Sequence, residues 1–368
     1  MENMVMEDPS SSSFWNGRRV FVTGHTGFKG SWLCLWLRSM GAEVHGYALQ
    51  PPTDQNLFDV ARVKGILASH TPADIRDYET LACALRDARP EIVFHLAAQA
   101  LVRDSYQRPI ETYAVNVMGV VHVLEAVRAT PGVKAVVNVT SDKCYENLEW
   151  TRAYREDQPM GGYDPYSSSK GCSELITAAY RRSFLAGAGV AVATARAGNV
   201  IGGGDWAADR LVPDILRALD SATTLTVRSP GAIRPWQHVL EPVLGYLALA
   251  EHLHTAGDSF AEAWNFGPAE EDARTVGWIV EHLTSRYPTL SWACDTSVQP
   301  HEANYLKLDS SKARSRLAWR ACWSLETALD KTLDWHMAWR SGRDMHAETV
   351  AQIDEFMTAH VQVGCDAV

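Results

Sequence analysis

The amino-acid sequence predicts an α/β protein with a doubly wound parallel sheet, followed by a smaller C-terminal domain. Short β-branched runs alternate with stretches of helical periodicity over the first 200 residues, an order typical of parallel strands joined by crossover helices. After about residue 200 the sequence changes to loops rich in Gly, Pro and Trp between further helical stretches. Ligands of such a sheet bind beyond the carboxyl ends of its strands, so we expect the functional residues there.

Five strands and several helices are predicted along the chain. The predicted strands are RRVFVTG (18–24), EVHGYAL (43–49), EIVFHLA (91–97), KAVVNVTS (134–141) and VAVATARAG (190–198). The clearest helical stretches are GSWLCLWLRSMG (30–41), ETYAVNVMGVVHVLEAVRAT (111–130), DRLVPDILRALDS (209–221) and EPVLGYLALAEHLH (241–254). We expect a first domain over 14–200, a second mainly over 201–345 with some segments returning to the first, and termini at 1–13 and 346–368.

Composition and charge exclude several classes of protein. The chain is 46% hydrophobic and 21% charged, and its net charge of -10 without a basic block argues against nucleic-acid binding. The N-terminus is acidic and polar and no run of 18 apolar residues occurs, so we expect no signal peptide, no membrane association and a cytoplasmic location. Seven scattered cysteines without a C-x-x-C pair predict neither a disulfide framework nor a metal site.

A glycine-rich turn carries the first chemical signal. Gly24, Gly27 and Gly30 lie between a predicted strand and a predicted helix, where glycines let the backbone approach a pyrophosphate at the helix N-terminus. A glycine triplet alone is also compatible with an ordinary turn. In this context it predicts a dinucleotide-binding domain of the Rossmann type.

The second strand helps to choose between the two nicotinamide cofactors. The segment after it, LQPPT, offers no Asp or Glu for a ribose 2′-hydroxyl and no Arg for a 2′-phosphate. We therefore expect NAD rather than NADP. Asp74 is a candidate contact for the adenine amino group, with a helix cap as the alternative.

Two further groups of residues have the composition of a catalytic site. Tyr166 and Lys170 are four residues apart, a spacing that puts both on one helix face and lets the ammonium favour ionisation of the phenol. Ser141, Asp142 and Lys143 follow a predicted strand directly. The Tyr/Lys spacing also arises by chance, and the trio, taken alone, is compatible with a turn.

Longer motifs point to a family. The stretches VFVTGHTGFKGSWL, VVNVTSDKCYEN, PMGGYDPYSSSKG, RAGNVIGGGDWAADRLVPDILR, RPWQHVLEP and HEANYLKLDSSKA, within a match from about Trp15 to about Trp339, closely resemble the CDP-glucose 4,6-dehydratases. These are NAD-dependent nucleotide-sugar dehydratases of the extended short-chain dehydrogenase/reductase superfamily. One departure is Ser168, where the family pattern has Asn; it lies beside the key residues without removing them.

The resemblance implies a lyase of deoxysugar biosynthesis, of the kind that supplies O-antigen lipopolysaccharide. CDP-glucose would be oxidised at C4 with Tyr166 as base, Lys170 lowering its pKa and Ser141 binding the hydroxyl. Lys143 would then remove the C5 proton and Asp142 would protonate the leaving C6 hydroxyl, before hydride returns to C6. Related dTDP-sugar dehydratases carry Glu where Lys143 stands.

The role of Lys143 has alternatives. A lysine base must be neutral, although its ordinary pKa of about 10.4 lies well above neutral pH. Lys143 could instead hold a phosphate or Asp142, and we expect the two to titrate as a coupled pair. Tyr145 could serve packing or orientation.

The resemblance also implies the ligand contacts. The expected NAD-binding residues are Gly24, Thr26, Gly27, Phe28, Lys29, Gly30, Asp74, Ile75, Leu96, Ala97, Ala98, Gln99, Asn116, Tyr166 and Lys170. The expected substrate contacts are Arg103, Asn199, Trp206, Arg210, Arg234 and His301, with Glu302 beside it. Arginines can also bridge surface carboxylates, and most tryptophans pack in cores.

Two other classes of protein share some of these residues. A nonenzymatic cofactor sensor would not need the Tyr/Lys pair or the acid and base, which are all present. A nucleotide-sugar 4-epimerase needs Tyr166 and Lys170 but no elimination groups, so Asp142 and Lys143 argue against it. A 4,6-dehydratase for another nucleotide sugar is the remaining alternative. The resemblance implies a homo-oligomer, a dimer or tetramer, packed through the helices around 111–130 and 166–182.

Overall fold

The computed structural model describes residues 12–287, 290–295 and 305–365. Twelve strands occur in this part of the chain, and seven of them form one parallel sheet in the order β10-β6-β5-β4-β1-β2-β3. The strands are β1 (Arg19–Thr23), β2 (Glu43–Ala48), β3 (Ser69–Pro72), β4 (Ile92–His95), β5 (Ala135–Val139), β6 (Ala191–Ala197), β7 (Asn199–Ile201), β8 (Leu225–Val227), β9 (Ile233–His238), β10 (Ala263–Phe266), β11 (Ala273–Thr275) and β12 (Trp292–Cys294).

Helices cover both faces of this sheet, and further helices build the C-terminal part. They are α1 (Ser12–Trp15), α2 (Phe28–Ser39), α3 (Leu57–Val60), α4 (Tyr78–Ala88), α5 (Val102–Gln107), α6 (Pro109–Tyr113), α7 (Gly119–Arg128), α8 (Pro165–Tyr180), α9 (Leu211–Ser221), α10 (Leu240–Ala256), α11 (Val276–Arg286), α12 (Ser311–Arg316), α13 (Leu325–Arg340) and α14 (Met345–Cys365). A π-helical segment, Ala114–Met118, joins α6 to α7.

The doubly wound sheet confirms the predicted fold class. Strand β5 is buried along its whole length, as expected of a β-branched strand covered on both faces. The register aligns Thr23 with His95 and His95 with Asn138, so the carboxyl ends of β1, β4 and β5 meet at one edge. The glycine turn and the Ser141–Lys143 trio both follow these ends.

Two strands of the sheet were not predicted. Strand β3 has the polar sequence SHTP and lies at the edge, partly exposed, so it lacks an apolar run. Strand β10 forms the opposite edge and comes from residues 263–266, beyond the predicted boundary at 200. The chain thus returns to the first sheet; the boundary itself stays a prediction.

The remaining strands form two small sheets, β11-β9-β7 and β12-β8. They share an apolar cluster with α9, α11 and α13, in which Ile215, Trp236, Ile279 and Leu329 are buried. Helix α14 packs back on α2 through an edge-to-face contact between Phe356 and Trp36.

One helical stretch, Pro109–Arg128, is long and apolar enough to cross a membrane by length and composition alone. Core helices of soluble proteins pass the same test. Within it Val120, Val123 and Leu124 are buried in the cluster beneath the sheet. The α7 part of the stretch therefore packs as a sheet-covering helix.

Candidate active site

A cavity of about 880 Å³ opens at the carboxyl ends of the parallel strands. It begins at the glycine turn after β1, passes the trio after β5 and the first turns of α8, and ends between α9 and β8. The position agrees with the crevice expected of a doubly wound sheet. Both groups of predicted catalytic residues line this one cavity.

The glycine turn is shaped for close approach of another backbone. Gly24 has φ +76°, and a Cβ there would lie 2.6 Å from the backbone nitrogen of Ala97. A Cβ on Gly30 would lie 2.2 Å from the carbonyl oxygen of Gly24. Gly27 is the N-cap of α2 and supplies no side-chain acceptor to the first turn. The N–H groups at this end of α2 can therefore serve an anion in the cavity.

The end of β2 carries no charged side chain. Strand β2 ends at Ala48, and Leu49 and Gln50 follow it along the cavity wall. Thr26 donates a 2.8 Å hydrogen bond to the carbonyl oxygen of Leu49, which fixes this segment beside the glycine turn. This wall offers neither an acid for a ribose 2′-hydroxyl nor an arginine for a 2′-phosphate, which is the composition expected for NAD.

Asp74 lines the same arm of the cavity but does not cap a helix. Its carboxylate accepts hydrogen bonds from the backbone and the guanidinium of Arg76, at 2.9 Å and 2.5 Å. The hydrogen bonds from Arg76 hold the pKa of Asp74 below its usual range. Asp77 caps α4 instead, by accepting from the backbone N–H of Thr80 at 3.1 Å.

Most of the predicted cofactor residues line the cavity. These are Gly24, Thr26, Gly27, Phe28, Lys29, Gly30, Asp74, Ile75, Leu96, Ala97, Ala98, Tyr166 and Lys170. Gln99 and Asn116 lie outside this lining. The Asn116 side chain accepts from the backbone N–H of Gln99 at 2.8 Å and donates to Ser169 Oγ at 2.9 Å. It therefore ties the end of β4 to α8.

Helix α8 positions the side chains of Tyr166 and Lys170. Asp164 caps it by accepting from the backbone N–H and the hydroxyl of Ser167, and Pro165 occupies the first turn. Tyr166 and Lys170 then lie one turn apart on the face that lines the cavity, and both are buried. Lys170 Nζ is 3.4 Å from the carbonyl oxygen of Val139, the last residue of β5.

The electrostatics of this pair are dominated by burial. Burial raises the pKa of Tyr166 to about 12, while a hydrogen bond from the Ser141 side chain and the charge of Arg210 act in the opposite direction. Burial also lowers the pKa of Lys170 to about 8, against the charge of Glu174. Lowering of the Tyr166 pKa by Lys170 itself stays a prediction.

Ser141, Asp142 and Lys143 form a short turn, and each of the three side chains has a different environment. Ser141 Oγ accepts from the backbone N–H of Lys143 at 3.2 Å and donates to Asp142 Oδ1 at 3.0 Å. Asp142 is buried, and its Oδ2 atom has no hydrogen-bond partner in the described part of the chain. Burial raises the pKa of Asp142, although Lys143 and Arg234 oppose the shift. Lys143 is half-buried and lines the cavity.

The predicted substrate contacts Arg103, Asn199, Trp206, Arg210 and Arg234 line the far half of the cavity. Arg210 pairs with buried Asp205 at 2.9 Å, so this arginine does bridge a carboxylate while still facing the cavity. Trp206 packs edge-to-face on Trp335 and Trp339. His301 and Glu302 lie outside the described residues.

Two residues were not predicted from the sequence: Asp205, which lines the cavity, and Tyr246, which contacts the cavity-lining Lys29 from outside the lining. Asp205 lies in the GGGDW motif, shortly before Arg210. This spacing is the sequence feature that could have identified it. Tyr246 accepts a 3.2 Å hydrogen bond from Lys29 and sits in an apolar stretch of α10, where nothing local marks it. Burial, then the charges of Lys170 and Arg210, lower the pKa of Lys29 to about 7.

Comparison with known proteins agrees with this geometry. A CDP-glucose 4,6-dehydratase of Salmonella typhimurium strain LT2 is 54% identical over 353 residues, which cover 94% of this chain and 98% of that protein. Two solved structures share the fold. An epimerase of Methanothermobacter thermautotrophicus is 22% identical with a TM-score of 0.75, covering 92% of this chain and 98% of its own. A dTDP-glucose 4,6-dehydratase of Bacillus anthracis in complex with NAD is 21% identical with a TM-score of 0.73, covering 90% and 100%.

The family model described as GDP-mannose 4,6 dehydratase matches residues 21–332. This range contains the glycine turn, the trio, the Tyr/Lys pair and the arginines of the far half of the cavity. The predicted resemblance to nucleotide-sugar 4,6-dehydratases is confirmed. The chain therefore belongs to the GDP-mannose 4,6-dehydratase family.

Proposed function

We propose that the protein is a lyase that converts CDP-glucose into CDP-4-keto-6-deoxyglucose and water, using bound NAD. The observation that carries this proposal is the meeting of Asp142 and Lys143 with Tyr166 and Lys170 in one cavity. Oxidation of a hydroxyl without elimination needs only Tyr166 and Lys170. The name of the relative that is 54% identical supports CDP-glucose as the substrate.

The described residues fit the proposed cofactor. Gly24 and Gly30 allow the glycine turn to pack directly against neighbouring backbone, where a Cβ would clash, and the uncapped start of α2 offers N–H groups to a diphosphate. The absence of an acid and an arginine after β2 supports NAD over NADP. When bound, the nicotinamide supplies the acceptor for the C4 hydride and the donor of the hydride that returns to C6.

The first step is proton removal from the C4 hydroxyl. Tyr166 accepts this proton as its phenolate, with Ser141 as its hydrogen-bond partner. Because burial disfavours the phenolate, it needs nearby positive charge; the charge of Arg210 acts in this direction, and Lys170 lines the same cavity one helical turn away. The sugar becomes a 4-ketone.

The second step is elimination across C5 and C6. The 4-ketone acidifies the C5 proton, which Lys143 removes as the neutral amine. Asp142 donates its proton to the C6 hydroxyl, which leaves as water. Burial favours the protonated form that this step requires of Asp142. With NAD bound, hydride would return to C6 while the protonated Lys143 gives a proton back to C5. Tyr166 then releases the C4 proton and Asp142 regains one from solvent, so the cycle ends with no net redox change.

An epimerase is the alternative with structural support, since a solved epimerase shares the fold. Fold alone does not distinguish the two reactions. Epimerisation leaves the C5 proton in place and therefore needs no acid at C6. A buried carboxyl with a raised pKa beside a lysine favours the dehydratase.

The proposal is tested by supplying four substrates separately, the CDP-, dTDP-, GDP- and UDP-activated sugars. Formation of a 4-keto-6-deoxysugar is followed by its absorbance in alkali. We expect product from CDP-glucose at a kcat/KM above that for the others. Product only from another nucleotide would reassign the substrate, and a 4-epimer without the alkaline absorbance would reassign the reaction.

We further propose that the protein acts in the cytoplasm as a homo-oligomer. The helices α6 and α8 expose large apolar side chains on their outer faces, with Ile110 86% and Leu175 62% exposed. Apolar surface of this kind is typical of an interface.

A further inference from the structure

A buried carboxylate, Glu174, lies behind the catalytic residues and connects the elements that carry them. Glu174 stands one turn after Lys170 on α8. Its two oxygens accept from Thr140 Oγ1 at 2.5 Å, Thr194 Oγ1 at 2.7 Å and the Arg196 guanidinium at 2.9 and 2.8 Å. Helix α8, strand β6 and the residue before Ser141 thus meet at one carboxylate.

A second contact holds the far end of the trio. Arg196 also donates to the hydroxyl of Tyr145 at 2.6 Å, and that hydroxyl donates to Asn265 Oδ1 at 2.7 Å. Tyr145 is buried, as are Arg196 and Asn265. The segment Thr140–Tyr145, which contains the trio, is therefore fixed at both ends to the same ion pair.

The charge of Glu174 is paired with that of Arg196, and its carboxylate oxygens are satisfied by hydrogen bonds. Burial disfavours the charge of Glu174, yet the charge and hydrogen bonds of Arg196 hold its pKa below the usual range. Every polar atom of Glu174 has a partner, and satisfied buried networks of this kind are rigid. Glu174 and Arg196 are absent from the lining of the active-site cavity, so they do not touch a substrate there.

We propose that Glu174, Arg196 and Tyr145 form a positioning network that fixes Asp142 and Lys143 relative to Tyr166 and Lys170. The inference rests on the proposed function, because only the dehydratase uses both groups. Oxidation at C4 uses Tyr166 and Lys170 of α8, which keeps its own cap at Asp164, and needs only Ser141 from the anchored segment. Elimination needs the trio at the correct distance from the same sugar. Loss of the anchors should therefore slow elimination more than oxidation.

Two matched substitutions separate positioning from simple stability. Thr140→Val and Thr194→Val each remove one hydroxyl that donates to Glu174, and both threonines are buried. Only Thr140 belongs to the segment that carries the trio. The experiment measures C4 oxidation in a single turnover, C5 exchange in D₂O, and the free energy of unfolding of each holoenzyme. Tyr145→Phe, which removes only the hydroxyl, is the third variant and replaces Thr140→Val if that protein does not fold.

We expect both threonine variants to lose similar stability. In Thr140→Val and Tyr145→Phe the ratio of elimination to oxidation should fall about tenfold or more, since misplacement by about 1 Å can cost about a hundredfold in rate. Thr194→Val should keep the ratio of the native enzyme. Equal ratios in all variants would overturn the positioning role. Failure of the native enzyme to act on CDP-glucose would instead count against the proposed function.

Discussion

The three residues of the trio are consecutive, yet they differ in what surrounds them. Asp142 is buried beside Arg234, whereas Lys143 is half-buried at the cavity wall. Burial favours a protonated carboxyl, and access to the cavity gives the lysine a route for exchanging protons with solvent. The pair can therefore give a proton at C6 and take one at C5. The sequence predicted the residue types, but their separate environments required the structure.

Lys143→Met tests the base directly. Methionine fills a similar volume without an amine, so the fold and substrate binding should persist, while turnover should fall by about 10² or more. Because C4 oxidation uses Tyr166, the variant should stop at the 4-ketosugar with the cofactor reduced. Absorbance at the reduced nicotinamide band and mass analysis of the released sugar measure this.

Exchange at C5 provides the control for that variant. In D₂O the native enzyme should place deuterium at C5 of the product, because a base open to solvent returns a solvent-derived proton. Lys143→Met should not exchange C5. Exchange at the native rate would assign proton removal to another residue and leave Lys143 an electrostatic role.

Tyr166→Phe should block the reaction before any ketone forms. Only one hydroxyl is lost from a buried ring, so we expect a folded protein with a turnover reduced by about 10² or more and no reduced cofactor on mixing. Stopped-flow absorbance shows whether the first hydride transfer occurs. Near-native oxidation in this variant would remove Tyr166 from the role of base.

At the scale of elements, α10 shows how the C-terminal part is attached. Glu241, in its first turn, is fully buried and accepts from the backbone N–H groups of Cys322 and Trp323 at 3.0 and 2.8 Å. Trp319 donates to the Glu241 carbonyl oxygen at 2.9 Å. One residue of α10 thus holds the segment that leads into α13.

Glu241 makes stability depend on pH. Burial raises its pKa from 4.5 to about 8, so between these values the folded protein keeps a proton that the unfolded chain releases. Its contribution is complete below about pH 4.5 and is lost as pH rises through about 8, amounting to about 5 kcal/mol at most. Urea denaturation should give the native protein a lower free energy of unfolding at pH 8.5 than at pH 6. In Glu241→Gln the decrease between these two pH values should be smaller.

Glu326→Gln is the control for that measurement, because Glu326 is an exposed carboxyl in the first turn of α13. It should keep the pH dependence of the native protein. An identical dependence in Glu241→Gln would show that the buried carboxyl does not bind the extra proton.

The predictability of the elements follows from their burial. Strands β1, β2, β4, β5 and β6 are apolar runs in the middle of a covered sheet, so composition alone marks them. Strand β3 is polar at an edge, and β10 is four residues long, so neither carries a distinct pattern. Their places depend on long-range pairing with β2 and β6, which local sequence does not encode.

At the scale of the whole molecule, the exposed apolar side chains of α6 and α8 lie on neighbouring helices. We expect Leu175→Glu to place charge in the proposed interface and shift the protein toward monomer. Leu148→Glu is the matched control, since Leu148 is 60% exposed and lies in a loop outside these helices. Light scattering with size-exclusion chromatography measures both. An unchanged mass for Leu175→Glu would move the interface elsewhere.

The candidate site also shows what sequence could and could not predict. The glycine turn, the trio and the Tyr/Lys pair are short motifs, and the structure brings them to one cavity. The ion pair of Glu174 and Arg196 joins residues 22 positions apart from different elements, so no local spacing announces it. Contacts of this kind appear only when helix and strand pack together.

If the protein is a 4,6-dehydratase, hydride leaves C4 and returns to C6 of the same sugar after water is lost. The most direct test supplies CDP-glucose carrying deuterium at C4 to the holoenzyme and locates the label in the product by NMR. We expect deuterium at C6 of a 4-keto-6-deoxysugar, with no net reduction of the cofactor. Deuterium retained at C4 of an epimer, or lost to solvent, would contradict it.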